Sequence, residues 1–401
     1  MKTIYYLLLA TCLFQSCTAY HRVKSNKLVT KAAIKASDFY EEIPFTVVQG
    51  LPAFSIRLGQ DSSLHRFVFD TGGYTVLSQK LIESASGKQR KSHINVKDGN
   101  RKTGRINIYK LDQLNIGSIP FEEVGFAEIS FTESDFFSCP GIDGTLGPNI
   151  MKECIWYFDN DNLKLIFTDQ LERIPGIATA IRIPIKTNNI LKPLMKFSID
   201  GQENYLTFDT GDNGFISIQQ PLGDQISRDY PSVTKFGQRI RTGHTEIQEA
   251  VKLIKIDSIG LGGILSLENV LVSSRNSSSS HNLGIGIFDQ FNVVFNLAQE
   301  EVYFIKRAAG SLRTELRTFG FGFDFVDQKL IVGYLYNNSP AERAGLAIGD
   351  ELVEIDGKAF DFPDYCSFLN GFEINNKEEI VLGLKRGNEL IQVKLKKEKI
   401  L

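Results

Sequence analysis

The string Phe-Asp-Thr-Gly occurs twice in this chain, at residues 69–72 and 208–211. Each copy closes a short alternating apolar run, Arg66-Phe67-Val68 in the first and Tyr205-Leu206-Thr207 in the second. Each is followed in the same register by two apolar residues and a serine, Val76-Leu77-Ser78 and Phe215-Ile216-Ser217. One Asp-Thr-Gly would read as an ordinary turn after a strand. Two copies at a fixed offset constrain the whole chain. Asp70 and Asp209 are 139 residues apart, and the same offset carries Leu146-Gly147 onto Ile285-Gly286 and Thr103-Gly104 onto Thr242-Gly243. It also carries Ile155-Trp156 onto Val294-Phe295 and Leu165-Ile166 onto Phe304-Ile305. Upstream the offset slips by one, so that Ile43-Pro44-Phe45 answers to Ile183-Pro184-Ile185. The spacing predicts two copies of one unit of roughly 125–140 residues.

A length of 401 residues exceeds one compact core and calls for two or three domains. The short alternating runs, such as Ala53-Phe54-Ser55-Ile56-Arg57-Leu58 and Arg105-Ile106-Asn107-Ile108-Tyr109, predict a mainly β fold of barrels or sandwiches. Short helices are expected at 78–86 and 149–153. A formal charge of −2 gives no footprint for nucleic acid. The five histidines are scattered, and no Cys/His spacing suggests a metal or a cofactor.

The N-terminus has the pattern of an export signal: Lys2, a largely apolar run over 4–14, then Gln15-Ser16-Cys17. The run is too short for a permanent membrane span. The cysteine after a small residue resembles a bacterial lipoprotein signal, which implies a signal peptide over 1–17 and lipidation of Cys17. Plain secretion with an incidental cysteine is the alternative. Either way the protein is expected outside the cytoplasm, in the cell envelope, with any membrane contact through a lipid anchor. Residues 18–40, rich in Lys, Ser and Thr, read as a tether. Cys139 and Cys154 flank the Gly141 to Gly147 segment and could pair, or Cys154 is an ordinary buried thiol.

After Lys306 the pattern changes. A strand over 329–335 precedes Ser339-Pro340-Ala341-Glu342-Arg343-Ala344-Gly345-Leu346, which reads as a helix capped by Ser339 and stopped by Gly345. A turn at Gly349-Asp350, a strand and an Asp356-Gly357 hairpin turn follow, and residues 391–395 form a closing strand. This series resembles a PDZ domain, expected over 314–399. Its Gly320-Phe321-Gly322-Phe323 resembles the loop that holds a peptide C-terminus through backbone amides, or else simply starts the first strand.

Two carboxylates close enough to share one proton can activate water while polarising a carbonyl. A duplicated unit with a local twofold axis brings the same aspartate from each copy to that axis. On the two Asp-Thr-Gly loops, each followed by an apolar-Gly pair, the chain resembles two-lobed, retropepsin-like aspartic proteases carrying a C-terminal PDZ domain. The resemblance implies lobes at 41–169 and 170–308, with Asp70 and Asp209 catalytic. It implies that Thr71 and Thr210 bond across the axis beside Gly72 and Gly211. Gly147 and Gly286 would lie under the loops, and Thr103, Gly104, Thr242 and Gly243 in one substrate-covering hairpin per lobe. It further implies an endopeptidase for polypeptide substrates, without cofactor, for which a monomer suffices. The competing expectation is an inactive peptide-binding envelope lipoprotein; a weaker one is a precursor that cuts only its own tether. The residue after each triplet departs from the family's Ala or Ser: Gly73 in one copy and Asp212 in the other. An inward Asp212 would raise the pair's proton affinity and move the activity optimum toward neutrality. An Asp212 facing solvent or accepting backbone hydrogen bonds would leave the pair unchanged.

Overall fold

The computed structural model describes residues 23–401 apart from 60, 130–138, 243–244, 360–361, 373 and 375. The signal segment with Cys17, and Gly243, therefore lie outside the described residues. The fold is mainly β: two lobes, one from each copy of the repeat, followed by a smaller third unit.

Six antiparallel strands join the lobes: Tyr40–Pro44, Lys164–Thr168, Ile155–Asp159, Phe291–Asn296, Glu301–Lys306 and Ile181–Thr187. At the centre Trp156 pairs with Phe295, Tyr157 with Val294 and Phe158 with Val293. Phe295 is the repeat counterpart of Trp156, so the local twofold axis passes between these two strands. Every residue of both is buried, because packed side chains cover each face of the sheet. Phe69 stands against Trp156 with ring centroids 4.8 Å apart, and its counterpart Phe208 against Phe295 at the same 4.8 Å. Burying each such ring is worth about 2–3 kcal/mol, with a further ~1 kcal/mol from ring geometry. These phenylalanines immediately precede Asp70 and Asp209, so the shared core fixes where both aspartates emerge.

Within each lobe one short strand threads between two others. Gly144–Leu146 runs parallel to His65–Phe69 and antiparallel to Val76–Ser78. His281–Leu283 does the same between Gln202–Phe208 and Ile216–Gln219. Each lobe also carries a long hairpin, Lys88–Lys97 with Thr103–Ile116 in lobe 1 and Ser232–Thr242 with Thr245–Leu261 in lobe 2. The helix expected at 78–86 is Gln79–Ser84, capped by the Ser78 hydroxyl, which accepts from Leu81 N–H.

The expected tether departs from that reading over its described part. Residues 23–29 are helical, and Ala33–Ile34 adds a strand beside Ile119–Ile129. Val29, Ala32 and Phe39 are buried against lobe 1. The polar composition of this stretch covers its outer face and conceals three apolar anchors.

The third unit is built on strands Phe321–Val326, Lys329–Tyr336, Glu351–Ile355, Glu379–Arg386 and Glu389–Lys396 around its own core, including Phe319, Val332, Ala341, Leu352, Leu382 and Leu395. Helix Pro340–Arg343 starts at Ser339, whose hydroxyl accepts from Glu342 N–H, and Gly345 follows it at φ 81°. Asp356 and Gly357 both have positive φ, as a two-residue hairpin turn between right-twisted strands requires. Two attachments hold this unit to the lobes. Its strand Lys329–Tyr336 pairs with the lobe 2 hairpin through Lys235–Tyr336 and Phe236–Leu335. There Arg239 meets Asp324 at 2.7 Å, and the Lys235 ammonium lies 4.8 Å from the Tyr334 ring. On the other side Cys139 of lobe 1 is disulfide-bonded to Cys366. The pairing of Cys139 with Cys154 is thereby overturned. Cys154 is a free buried thiol whose proton affinity burial raises far above the ordinary value.

Candidate active site

Asp70 N–H donates to Leu146 O at 2.9 Å, and Asp209 N–H to Leu283 O at 2.8 Å, so each aspartate hangs from the threading strand of its lobe. The threonines then lock the loops together. Thr71 N–H donates to Thr210 Oγ1 at 3.1 Å, and Thr210 N–H to Thr71 Oγ1 at 2.9 Å. The Thr71 hydroxyl donates in turn to Phe208 O, and both threonines are buried. Reciprocal bonds of this kind in a dry setting leave little freedom for one loop to move without the other.

The glycines let the carboxyl groups approach. A Cβ on Gly72 would lie 2.1 Å from Asp209 Oδ2, and one on Gly211 2.7 Å from Asp70 Cγ. The carboxyl groups of Asp70 and Asp209 are hydrogen-bonded to each other. Asp70 also accepts from the N–H groups of Gly72 and Gly73, and Asp209 from Gly211 at 3.0 Å. Removal from water raises the proton affinity of both, and the charge of Asp70 raises that of Asp209 further. Two carboxyl groups that cannot both ionise cheaply will hold one proton between them.

Asp212 combines the two arrangements considered for it. Its Oδ1 accepts from Gly214 N–H at 2.8 Å, and it is hydrogen-bonded to Asn282. It is nonetheless half-buried, and burial followed by the charge of Asp209 raises its own proton affinity.

Gly147 lies under the first loop, where a Cβ would fall 2.5 Å from Thr75 N and 2.7 Å from Tyr74 C. Its partner in lobe 2 is Gly284, not Gly286. Leu146 pairs with Phe69 as Leu283 pairs with Phe208, and a Cβ on Gly284 would fall 2.6 Å from Asp212 O and 2.4 Å from Gly214 O. Lobe 2 is two residues shorter between its aspartate and this glycine, so the constant offset lands on the next glycine along. Gly286 abuts Phe215 instead.

The hairpins meet at their tips. Asn100, buried in the lobe 1 turn, donates to Ile240 O at 3.2 Å and Thr245 O at 3.3 Å, and accepts from Arg275 at 3.0 Å. Thr245 also bonds Asp98, and Arg101 bonds Ser278 O at 2.7 Å. Thr103 and Gly104 start the returning strand of lobe 1 and Thr242 faces Gly99 at the junction. The latch itself is made by Asp98, Asn100, Arg101, Thr245 and Arg275, which the repeat did not mark because they bond across lobes and have unlike counterparts.

In the third unit Gly320 turns at φ 95°, and Phe321 to Phe323 open the strand paired with Lys329–Tyr336. Among the described residues, the strand register of Phe321–Val326 is with Lys329–Tyr336. Helix Tyr365–Gly371 flanks Phe321–Val326, with Phe325 stacked on Phe368 at 6.0 Å and Phe323 against Phe372 at 5.5 Å. Residues 331–373 match the family model for the PDZ domain. The C-terminal unit has the PDZ fold. No curated protein matches the chain. Among solved structures, Basic 7S globulin from soybean resembles it at 11% identity with a TM-score of 0.41, covering 66% of this chain and 94% of the globulin.

Proposed function

We propose that the protein is an aspartic endopeptidase in which Asp70 and Asp209 activate a water molecule. The observation that carries this reading is the hydrogen-bonded carboxyl pair, one from each copy of the repeat, held on loops that Thr71 and Thr210 lock together. The ionised carboxylate takes a proton from water as its oxygen attacks the peptide carbonyl, and the protonated partner gives its proton to the carbonyl oxygen. Breakdown of the tetrahedral species returns a proton to the leaving nitrogen and breaks the C–N bond. No covalent link to the protein is needed. In this reading the latched hairpins would cover the bound substrate, and an extended polypeptide would enter once they part.

The PDZ unit would bind a peptide C-terminus by strand addition to Phe321–Val326, beside Gly320-Phe321-Gly322-Phe323. The pairing of Cys139 with Cys366 supports an oxidising location outside the cytoplasm, as expected for an exported envelope protein anchored at Cys17. The test is cleavage of an unfolded protein mixture from acid to mildly alkaline pH. The wild type should cut, and D70N and D209N should each lose cutting by at least about a thousandfold. Folded wild-type protein that binds unfolded chains but cuts none at any pH would replace this reading with that of a peptide-binding protein.

A further inference from the structure

The two long hairpins differ in what holds them. In lobe 1 the outgoing strand Lys88–Lys97 pairs with Thr103–Ile116 alone among the described residues. In lobe 2 the returning strand Thr245–Leu261 meets the next strand, Leu265–Arg275, only from Val251 onward. Residues 238–249 lie beyond that ladder as an arm of two strands, 238–242 paired with 245–249. At the root of the arm the outgoing strand slips register between Lys235 and Gln238, with Gly237 at φ 81°. An extra residue in one strand bends the ladder, so the direction of the arm is set here.

The PDZ unit is seated on that bend. Lys235 and Phe236 pair with Tyr336 and Leu335. Thr234 N–H donates to Asn337 Oδ1 at 2.6 Å, and Thr234 O accepts from Asn337 N–H at 2.9 Å. A Cβ on Gly237 would fall 2.6 Å from Gly333 O, so PDZ backbone fills the space beside the slipped register. Farther out, Arg239 reaches Asp324 at 2.7 Å. The next residue, Ile240, gives its carbonyl to Asn100 of lobe 1 at 3.2 Å. The PDZ contact and the latch therefore grip adjacent residues of the arm. To lift from lobe 1, the arm must carry the PDZ unit along, against the disulfide that ties Cys366 to Cys139, or separate from Lys329–Tyr336.

We propose that the PDZ unit positions the lobe 2 arm, with Asn337 and Asp324 as positioning residues that act on a bound polypeptide through residues 238–249. The PDZ unit is then part of the cover of the cleft, and not only a recruiting module appended to it. The inference rests on reading the hairpins as that cover.

The experiment combines amide exchange with cleavage kinetics on the full chain, in N337A, N337D and D324A. N337A removes the acceptor for Thr234 N–H, N337D keeps an oxygen in its place, and D324A removes the partner of Arg239. Exchange at 238–249 should quicken by about tenfold in N337A and D324A and keep the wild-type rate in N337D. On an unfolded protein substrate, KM should rise by about the same factor in N337A and D324A with kcat within about twofold, because a loosened cover weakens the binding of substrate and transition state alike. Exchange at Val332, Leu382 and Leu395 reports whether the PDZ core is intact; should one alanine variant disturb it, the other carries the test. Wild-type exchange at 238–249 in N337A and D324A overturns the proposal, as does a rise in N337D equal to that in N337A. The two readings fail separately. Quickened exchange in a chain that cuts nothing keeps the coupling and removes the protease, whereas cleavage with unmoved exchange and KM keeps the protease and removes the coupling.

Discussion

Replacing Asp209 by Asn should stabilise the protein, and by an amount that grows with pH. In the folded chain burial and the Asp70 charge push Asp209 up to about 7, from an ordinary value of 3.8. Across that interval the folded state holds a proton that the unfolded state has released. A carboxyl group with raised proton affinity contributes stability that is fully present below its unfolded pKa and lost as pH rises through its folded pKa. At ~1.4 kcal/mol per pKa unit, the loss over the interval is about 4 kcal/mol. The asparagine of D209N has no proton to lose and keeps the hydrogen bond to Asp70. The difference between variant and wild type should therefore be near zero at about pH 4 and approach 3–4 kcal/mol in favour of D209N at about pH 8. Asp212 remains in both proteins, and relief of its repulsion adds in the same direction. Guanidinium unfolding followed by fluorescence suits the measurement, because the single tryptophan, Trp156, is fully buried at the centre of the sheet that joins the lobes. A difference that stays flat between those pH values would refute the shared proton.

Thr71→Val would leave the Thr210 N–H and the Phe208 carbonyl buried without their partner and should cost about 2–5 kcal/mol in the same unfolding experiment, with D209N as background control. Gly284→Ala should be far more damaging than Gly286→Ala. The first drives a Cβ into two backbone carbonyl oxygens at 2.4 and 2.6 Å, whereas the second meets Phe215 at 2.9 Å; melting temperatures should separate them, the first losing about 3 kcal/mol or more. In C366S, amide exchange over the helix Tyr365–Gly371 should quicken while Lys235 and Phe236 stay protected by their pairing with Leu335 and Tyr336. Uniform deprotection of both regions would mean that the disulfide, and not the strand pairing, holds the PDZ unit in place.

The duplication was open to reading because it repeats chemistry and pattern together. The aspartates, their threonines and the aromatic positions 156 and 295 share one offset, and in the fold those two aromatics pair directly. The PDZ unit was equally legible, since Ser339, Gly345, Asp356 and Gly357 each have a local backbone reason to be where they are. The failures are nonlocal or degenerate. Gly284 was missed because Gly-Ile-Gly offers two glycines and only the strand register chooses between them. The disulfide was missed because Cys154 is near Cys139 in sequence, whereas Cys366 approaches only when a separate unit docks. The hairpin latch shares this cause: its partners lie across the twofold axis, where sequence neighbours give no hint.

The direct pairing of Trp156 with its own counterpart has an evolutionary consequence. Two separate copies of the unit could meet along the same strand edge, but a change in one would then appear on both sides of the axis. Asp at the position of Gly73 would need space that Asp70 fills, since even a Cβ there falls 2.3 Å from Asp70 Oδ2. An acid after the triplet is thus tolerable only when one half carries it alone. Joining the halves in one chain releases each from mirroring the other, so one loop can carry Asp212 while the other keeps Gly73 by independent mutation.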